Sequence, residues 1–282
     1  MATTTIRPVR LNHMNVVLQN FDEGVRHFQE RYDAEFVADI PKAEYHACLV
    51  ETGGVLFELF FPSVYLLNAR YGPHYVGVEY QADMDVVCRA VAERKMRIIR
   101  ESRYERDLAG NPGYALHTHP ADGFGVSYEF YHDDFHQWNW PLLKGKFKPA
   151  EYWLSHPLGL TGQKGYIHAV KDIDAASAFI ESFLGGEPAY EADRPAIGAR
   201  AIGLKVADIV VELVTPIGEG ELAHHLYRYG DGVRSTLFGV ANIDRAKRYL
   251  TSRGLPTVAG SLPGSIAVPA ETNLGVIFEF TE

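Results

Sequence analysis

The chain of 282 residues has little cysteine and no long apolar run. Its two cysteines, Cys48 and Cys88, lie in apolar stretches and are too few for a disulfide framework or a thiolate metal site. No stretch approaches the ~18 consecutive apolar residues that span a bilayer, and the N-terminus lacks the apolar segment of a signal peptide. We therefore expect a cytoplasmic protein with buried thiols and no membrane partner.

Basic residues are also scarce, with 27 Lys and Arg against 36 Asp and Glu, which gives a net charge of −9. Because no basic run is present, the composition argues against a nucleic-acid partner. Walker loops, dinucleotide fingerprints and Gly-x-Ser-x-Gly motifs are absent from the sequence as well. Histidine, in contrast, is plentiful: the chain has 12, most of them in its first half.

The sequence repeats itself at long range. Residues 55–62 (VLFELFFP) resemble residues 209–216 (IVVELVTP), and residues 125–130 (GVSYEF) resemble residues 275–280 (GVIFEF). The two glutamates in these pairs are separated by 154 and 150 residues, which are nearly equal offsets. Two independent matches at nearly one offset predict a duplication.

We expect a first domain at residues 1–132 and a second at residues 163–282. Each half divides again into a strand, an amphipathic helix and two or three further strands. The predicted helices cover residues 21–32, 84–95, 173–184 and 243–253. The fold class predicted is α+β, with four tandem βαβββ modules paired into two domains with curved mixed sheets.

The segment between the halves, residues 133–162, is rich in tryptophan and proline, including Trp138, Trp140 and Trp153. Its aromatic residues predict that it packs on the protein. A lid over a site and a plain strap between the domains are both compatible with this composition.

Charged and polar side chains interrupt several apolar strands. Glu58 and Glu129 lie in predicted last strands of their modules, and His13 and His74 lie in first strands. A buried carboxylate is costly unless it is paired, hydrogen-bonded or bound to metal. If the sheet curls so that these strands are central, the four side chains converge. Two imidazoles with one or two carboxylates suit Fe, Mn, Co, Ni or Zn, although the glutamates could instead be salt-bridged core residues.

The paired βαβββ layout with His13, Glu58, His74 and Glu129 in this order resembles the vicinal oxygen chelate superfamily. That superfamily includes glyoxalase I, methylmalonyl-CoA epimerase, extradiol ring-cleaving dioxygenases and antibiotic-sequestering proteins. The resemblance implies two glyoxalase-like domains and one divalent ion that chelates two vicinal oxygens of a small-molecule substrate. A homo-oligomer is compatible with it.

The second half lacks the histidines of the first. Gly165 stands where the first should be, and Ser235 or Val233 where the second should be, while Glu212 and Glu279 are retained. We therefore predict one metal ion, in the N-terminal half, and a degenerate second domain.

Three chemistries are compatible with these residues. The first is an isomerase, epimerase or lyase in which Glu58, as ligand or base, moves a proton next to a metal-bound carbonyl. The second is an extradiol dioxygenase that uses Fe(II) on a catecholic substrate. The third is a metal-free protein that sequesters a small molecule. His117 and His119 are predicted as acid/base groups, or as a solvated pair at a strand end.

Overall fold

A computed structural model describes residues 3–41, 45–61, 74–106, 112–132 and 145–282. The structure contains two eight-stranded mixed sheets with helices packed on them, one sheet in each half. This architecture confirms the predicted α+β class and the two similar halves. No helix within the described ranges is long and apolar enough to cross a membrane.

Ten helices and strands lie in the described part of the first half. They are β1 (Arg10–Val17), α1 (Phe21–Tyr32), β2 (Glu35–Pro41), β3 (His46–Thr52), β4 (Val55–Phe60), β5 (His74–Gln81), α2 (Met84–Glu93), β6 (Ile98–Arg106), β7 (Pro112–Thr118) and β8 (Ser127–Tyr131).

A short helix, α3 (Ala150–Ser155), precedes the second half. The elements that follow are β9 (Leu160–Ala169), α4 (Ile173–Leu184), β10 (Glu187–Arg194), β11 (Ala199–Val206), β12 (Ile209–Pro216), α5 (Glu221–Tyr229), β13 (Gly232–Val240), α6 (Ile243–Ser252), β14 (Val258–Ala259), β15 (Ile266–Val268) and β16 (Ile277–Thr281).

The two sheets have the same strand order. The first runs β2-β3-β4-β1-β5-β8-β7-β6 and the second β10-β11-β12-β9-β13-β16-β15-β14. In the first sheet β1 pairs parallel with β4 and antiparallel with β5, and β5 pairs parallel with β8. The first and last strands of both modules therefore meet at the centre of the sheet, as the convergence of the site residues requires.

The four helices predicted from the sequence begin at the predicted residues. Each follows an Asn or Asp whose side chain accepts a hydrogen bond from a backbone N–H of the first turn. Such a cap satisfies a donor that the helix itself leaves unpaired. The capping residues are Asn20, Asp83, Asp172 and Asn242.

The two halves share one hydrophobic core. The Phe278 ring of the second half stacks on Phe57 of the first, with centroids 5.2 Å apart, and contacts Phe28 at 5.7 Å. Tyr75 also joins the halves, because its hydroxyl donates to the Ile277 carbonyl and accepts from the Thr236 N–H. The halves are therefore packed together rather than tethered.

The connecting segment packs on the protein where it is described. Trp153 of α3 is buried in the shared core, and the Lys148 ammonium lies 2.9 Å from Asp33 Oδ2 and 3.1 Å from Glu35 Oε1. Residues 133–144, with Trp138 and Trp140, lie outside the described residues. The lid over a site, which depends on them, therefore stays a prediction.

In the second half, the retained Glu212 is paired with an arginine. Arg194, at the end of β10, places its Nη2 2.5 Å from Glu212 Oε2 and its Nε 3.1 Å from Oε1. The Tyr190 hydroxyl donates to the same carboxylate at 2.7 Å. Arg194 and Glu212 are both buried, so the guanidinium supplies the positive charge that a buried carboxylate needs.

Glu279 is compensated in the same way. Arg234 Nη1 lies 2.6 Å from Glu279 Oε1, and the Ser235 hydroxyl donates to that oxygen at 2.8 Å. The backbone N–H and the hydroxyl of Ser261 both donate to the other oxygen at 2.7 Å. Both retained glutamates of the second half are thus satisfied by protein groups alone.

Removal of the guanidinium from the Arg194–Glu212 pair should destabilise the protein. We expect Arg194→Met to lower the free energy of unfolding by about 3–5 kcal/mol, because it leaves the Glu212 charge buried and uncompensated. Urea unfolding followed by circular dichroism measures the change. Arg200 provides the matched control, because its side chain is partly exposed and pairs with the more exposed Asp174 and Glu191, so that Arg200→Met should cost only about 0–1 kcal/mol.

Adding Glu212→Gln to Arg194→Met should recover most of the lost stability, because the double variant buries no net charge. Equal losses in Arg194→Met and Arg200→Met would contradict the charge-compensation interpretation.

Candidate metal centre

A row of ionisable side chains crosses the centre of the first sheet. In the strand register His13 of β1 lies opposite Glu79 of β5, which lies opposite Glu129 of β8, which in turn lies opposite His117 of β7. Glu58 of β4 joins the row from the other side of β1, where it is paired with Asn15. Directly opposed residues of neighbouring strands place their side chains about 5 Å apart, so the register brings these groups together.

The side chains meet over short distances in a buried setting. His13 Nε2 lies 3.3 Å from Glu79 Oε1 and 3.7 Å from Glu58 Oε2. One ligand atom each of His13, Glu79 and Glu129 lies within 4.8 Å of the others. All these side chains are almost inaccessible to solvent, with His13 2% exposed and Glu79 2% exposed. Imidazole nitrogen and carboxylate oxygen are atoms that bind divalent cations such as Mn, Fe and Zn, and the three groups are close enough to share one ion.

Asn15 fixes the orientation of this set. Its Nδ2 donates to Glu129 Oε2 at 3.0 Å, and its Oδ1, 2.7 Å away, accepts the Nδ1 proton of His13. In the neutral imidazole the lone pair then resides on Nε2, which faces the two carboxylates. A metal-binding histidine is commonly held in this way by a hydrogen bond from its other nitrogen.

The carboxylates have further partners at the edge of the cluster. Asn12 Nδ2 donates to Glu79 Oε1 at 3.0 Å. His117 Nε2 lies 2.8 Å from Glu129 Oε1. These contacts orient each glutamate and leave the side of the cluster around His13 Nε2 dominated by carboxylate oxygens.

The electrostatics of the cluster oppose full ionisation in the absence of a cation. Burial, helped by the charges of Glu129 and Glu79, raises the pKa of Glu58 to about 8 against the opposing effect of His13. Burial and the adjacent Glu129 also raise the pKa of Glu79 well above its ordinary value. Like charges that share a site cannot all ionise, so a bound divalent cation would stabilise the ionised form.

Glu129 titrates in the opposite direction. Burial alone would raise its pKa, but the neighbouring His117 and His13, together with the Asn15 hydrogen bond, lower the pKa of Glu129 to about 2. The cluster therefore contains one carboxylate that is firmly ionised beside two that hold protons.

The structure brings four of the six predicted site residues together: His13, Glu58, Glu129 and His117. The other two lie elsewhere. His74 is the first residue of β5, paired with Val17, and its ring lies 6.3 Å from that of Tyr229. His119 follows β7 and caps a 3₁₀ turn, with its Nδ1 accepting the Ala121 N–H.

The β5 position opposite His13 is occupied by Glu79, which the sequence reasoning missed. His74 was predicted from its place in a first strand, but the antiparallel register of β1 and β5 places it opposite Val17, four residues beyond His13. A signal was available, because Glu79 lies in the apolar run YVGVEY and is as conspicuous there as Glu58 is in its strand.

The second half repeats the row without its donors. There the register aligns Gly165 of β9 with Leu237 of β13, and Leu237 with Glu279 of β16. Gly165 thus stands at the place of His13, as the sequence indicated. A Cβ atom at Gly165 would lie 1.8 Å from the Val210 carbonyl oxygen, so no side chain fits at this position.

No protein-family model matches the chain, and no curated protein matches it either. Among solved structures, a mutant 4-hydroxymandelate synthase from Streptomyces coelicolor is similar over 97% of this chain and 92% of its own, with a TM-score of 0.76 and 12% identity. The Mn(II)-bound glyoxalase from Novosphingobium aromaticivorans is similar over 98% and 82%, with a TM-score of 0.66 and 12% identity. The 2,3-dioxygenase LapB from Pseudomonas sp. KL28 is similar over 99% and 93%, with a TM-score of 0.62 and 11% identity.

These three proteins carry different activities on one scaffold, and identities of 11–12% relate this chain to them through the fold alone. All three are members of the vicinal oxygen chelate superfamily, and this chain has the fold that they share, which confirms the predicted resemblance in fold.

Proposed function

We propose that the chain is a divalent-metal-dependent enzyme of the vicinal oxygen chelate type, with one ion held by His13, Glu79 and Glu129. The observation that supports this most directly is the meeting of one imidazole and two carboxylate donors within 4.8 Å in a buried row. Because two of the three donors are carboxylates, the set suits Mn, Fe(II), Co or Zn better than a thiolate-seeking ion. Glu79 takes the place in this proposal for which the sequence suggested His74.

Replacement of these donors should remove the metal. We expect Glu79→Gln and His13→Ala to weaken Mn²⁺ or Zn²⁺ binding by more than the 10–100-fold that loss of an outer-shell partner typically costs. Elemental analysis of the purified proteins and calorimetric titration of the metal-free forms measure this loss.

His74→Ala is the matched comparison on the same strand, and we expect it to keep wild-type metal content. Loss of metal from His74→Ala together with retention in Glu79→Gln would contradict the register-based assignment.

Glu58 is the residue that we assign to proton transfer. Its carboxyl lies beside the donor set, 3.7 Å from His13 Nε2, and burial raises its pKa to about 8, so it can take up and return a proton near neutral pH. The divalent ion, when bound, supplies a Lewis acid that polarises a substrate carbonyl and its neighbouring oxygen. Proton abstraction next to such a carbonyl is the step shared by isomerases, epimerases and lyases of this type.

The composition of the donor set also distinguishes proton transfer from ring cleavage by an Fe(II) dioxygenase. Non-haem oxygenases typically use two histidines and one carboxylate, whereas the ligand group found among the described residues has one histidine and two carboxylates. This composition favours proton transfer over dioxygen chemistry, and we treat the dioxygenase and the metal-free sequestering protein as alternative outcomes of the experiment.

Hydrogen exchange next to a carbonyl tests the assignment. The metal-loaded protein is incubated in D₂O with small α-hydroxy ketones and 2-hydroxy or 2-oxo acids, and deuterium incorporation is followed by NMR. We expect exchange without O₂ consumption, and a decrease of about 10²–10⁴-fold in Glu58→Gln with the metal retained.

Three results would contradict this proposal. Loss of metal in Glu58→Gln would make Glu58 a ligand rather than the base. O₂ uptake with catechols by the iron-loaded protein would indicate the dioxygenase. Absence of metal from the wild-type protein, together with absence of hydrogen exchange, would indicate the sequestering protein.

The pH dependence of stability provides a test independent of any substrate. Burial raises the pKa of Glu58 to about 8 in the folded protein, whereas the ordinary value is 4.5. Between these two pH values the folded protein keeps a proton on Glu58 that the unfolded chain releases. The stability of the metal-free protein therefore falls as the pH rises from about 4.5 to about 8. We expect Glu58→Gln to raise the urea midpoint more at about pH 8.5 than at about pH 5.5, with a chelator present.

Glu129→Gln serves as the control of opposite sign. Because the pKa of Glu129 is lowered to about 2 in the folded protein, its ionised form stabilises the fold above about pH 4.5. This variant should destabilise the metal-free protein throughout the neutral range. The same sign for both variants would contradict the electrostatic description of the cluster.

A further inference from the structure

A cavity of about 310 Å³ lies where the two halves meet. The first half contributes the start of β5 and the turn after β7, and the second contributes the end of α5 and the start of β13. The volume is at the lower end of the range for cavities that hold small organic ligands. The cavity shares none of its lining residues with the row of metal donors.

The two ends of β5 separate the cavity from the metal centre. His74 lines the cavity and Glu79 belongs to the donor row. Val76, the lining residue of β5 nearest to Glu79, is three residues away from it, and three residues of extended strand span about 10 Å at ~3.3 Å per residue. A molecule in the cavity and a metal ion in the row therefore occupy different places.

Backbone geometry keeps the cavity open. Gly125 and Asp231 bring the halves into contact on one side, since a Cβ atom at Gly125 would lie 1.6 Å from the Asp231 carbonyl oxygen. Gly230, also in the lining, has no atom within 4 Å of the position that a Cβ would take. Close approach at one glycine and open space at another leave a gap that side chains do not fill.

The walls combine apolar surface with hydrogen-bond donors. Tyr75, Tyr229 and Ile277 supply aromatic and aliphatic surface. His119 accepts the Ala121 N–H with Nδ1, so in the neutral ring its Nε2 carries the proton and donates.

Arg234 provides a further donor. It is buried and directs Nη1 to Glu279 and Nη2 to Glu221. Its Nε is buried and has no hydrogen-bond partner among the residues that the structure describes. An unsatisfied donor of this kind usually indicates a water or ligand that completes its hydrogen bonding.

The His225 imidazole in the wall is neutral, because burial, and then the nearby charges of Arg234, Arg228 and His74, lower its pKa to about 3. Asp231 is the acidic residue in the lining, and its Oδ1 accepts the Lys171 N–H. The pairing of Arg234 with two carboxylates leaves its Nε N–H unused by the described residues. Because hydrogen bonds from a guanidinium to a carboxylate are strong, this donor favours a carboxylate guest.

We propose that this junction cavity binds a small organic anion, a carboxylate carried on an apolar or aromatic body. The guanidinium and imidazole donors face the carboxylate, and the tyrosine and isoleucine surfaces contact the body. The site is separate from the metal centre, so an occupant would act as a second ligand bound between the halves.

Calorimetric titration with benzoate tests the proposal, with benzamide as the uncharged analogue of the same shape. We expect saturable one-site binding of benzoate to the wild-type protein and at least tenfold weaker binding of benzamide. Two variants should each weaken benzoate binding at least tenfold: His225→Phe removes an imidazole, and Ala121→Trp fills the exposed mouth of the cavity.

His224→Phe is the matched control, because His224 is the exposed neighbour of His225 on α5 and is outside the lining. It should bind benzoate like the wild type, and circular dichroism should show all three variants folded. Benzoate binding that is unchanged in His225→Phe and Ala121→Trp overturns the proposal. So does equal binding of benzamide, or loss of benzoate binding when a chelator removes the metal.

Discussion

Negative charge buried on a β-sheet is the constraint on which both halves of this protein depend. Each sheet places glutamates on its central strands, where solvent cannot stabilise the ionised form. Unpaired, such groups either cost free energy or keep their protons. The two halves satisfy this constraint differently. In the second, Arg194 and Arg234 pair with the carboxylates; in the first, imidazoles and amides contact them, and two of the three glutamates have raised pKa values.

This difference distinguishes a half whose glutamates are paired with guanidinium groups from a half in which two of the three glutamates keep their protons. A guanidinium is always charged and, once bidentate on a carboxylate, leaves neither group available for chemistry. His13 and Asn15 instead present a lone pair and a set of carboxylate oxygens that a divalent cation can share. The protonation state of Glu58 then depends on what occupies the row, which is the property required of a residue that moves a proton.

Much of the fold was accessible from the sequence because it depends on local signals. The duplicated Glu-containing strands, the capping Asn and Asp residues and the helix periodicity are all read over short windows, and the structure agrees with them. His13, Glu58 and Glu129 were recognisable because a polar group in an apolar strand is costly and therefore informative.

The site itself was less accessible because strand register is not local. The antiparallel register of β1 and β5 places Glu79 opposite His13 and His74 opposite Val17, and membership of a first strand does not reveal that register. His117 and His119 were expected to act together, yet the strand ends between them and a turn begins at His119. Asn12 and Asn15 were not identified as orienting groups, since their roles depend on contacts across strands.

The glycine at position 165 has a consequence for any attempt to build a donor row in the second half. The Val210 carbonyl occupies the space that a Cβ at this position would need. A histidine there would clash with the backbone and would still lack a carboxylate opposite it, because Leu237 is aligned with position 165. The arginines could be removed only together with the glutamates that they neutralise. A donor row in this half would therefore require several coordinated changes, including a shift of the backbone.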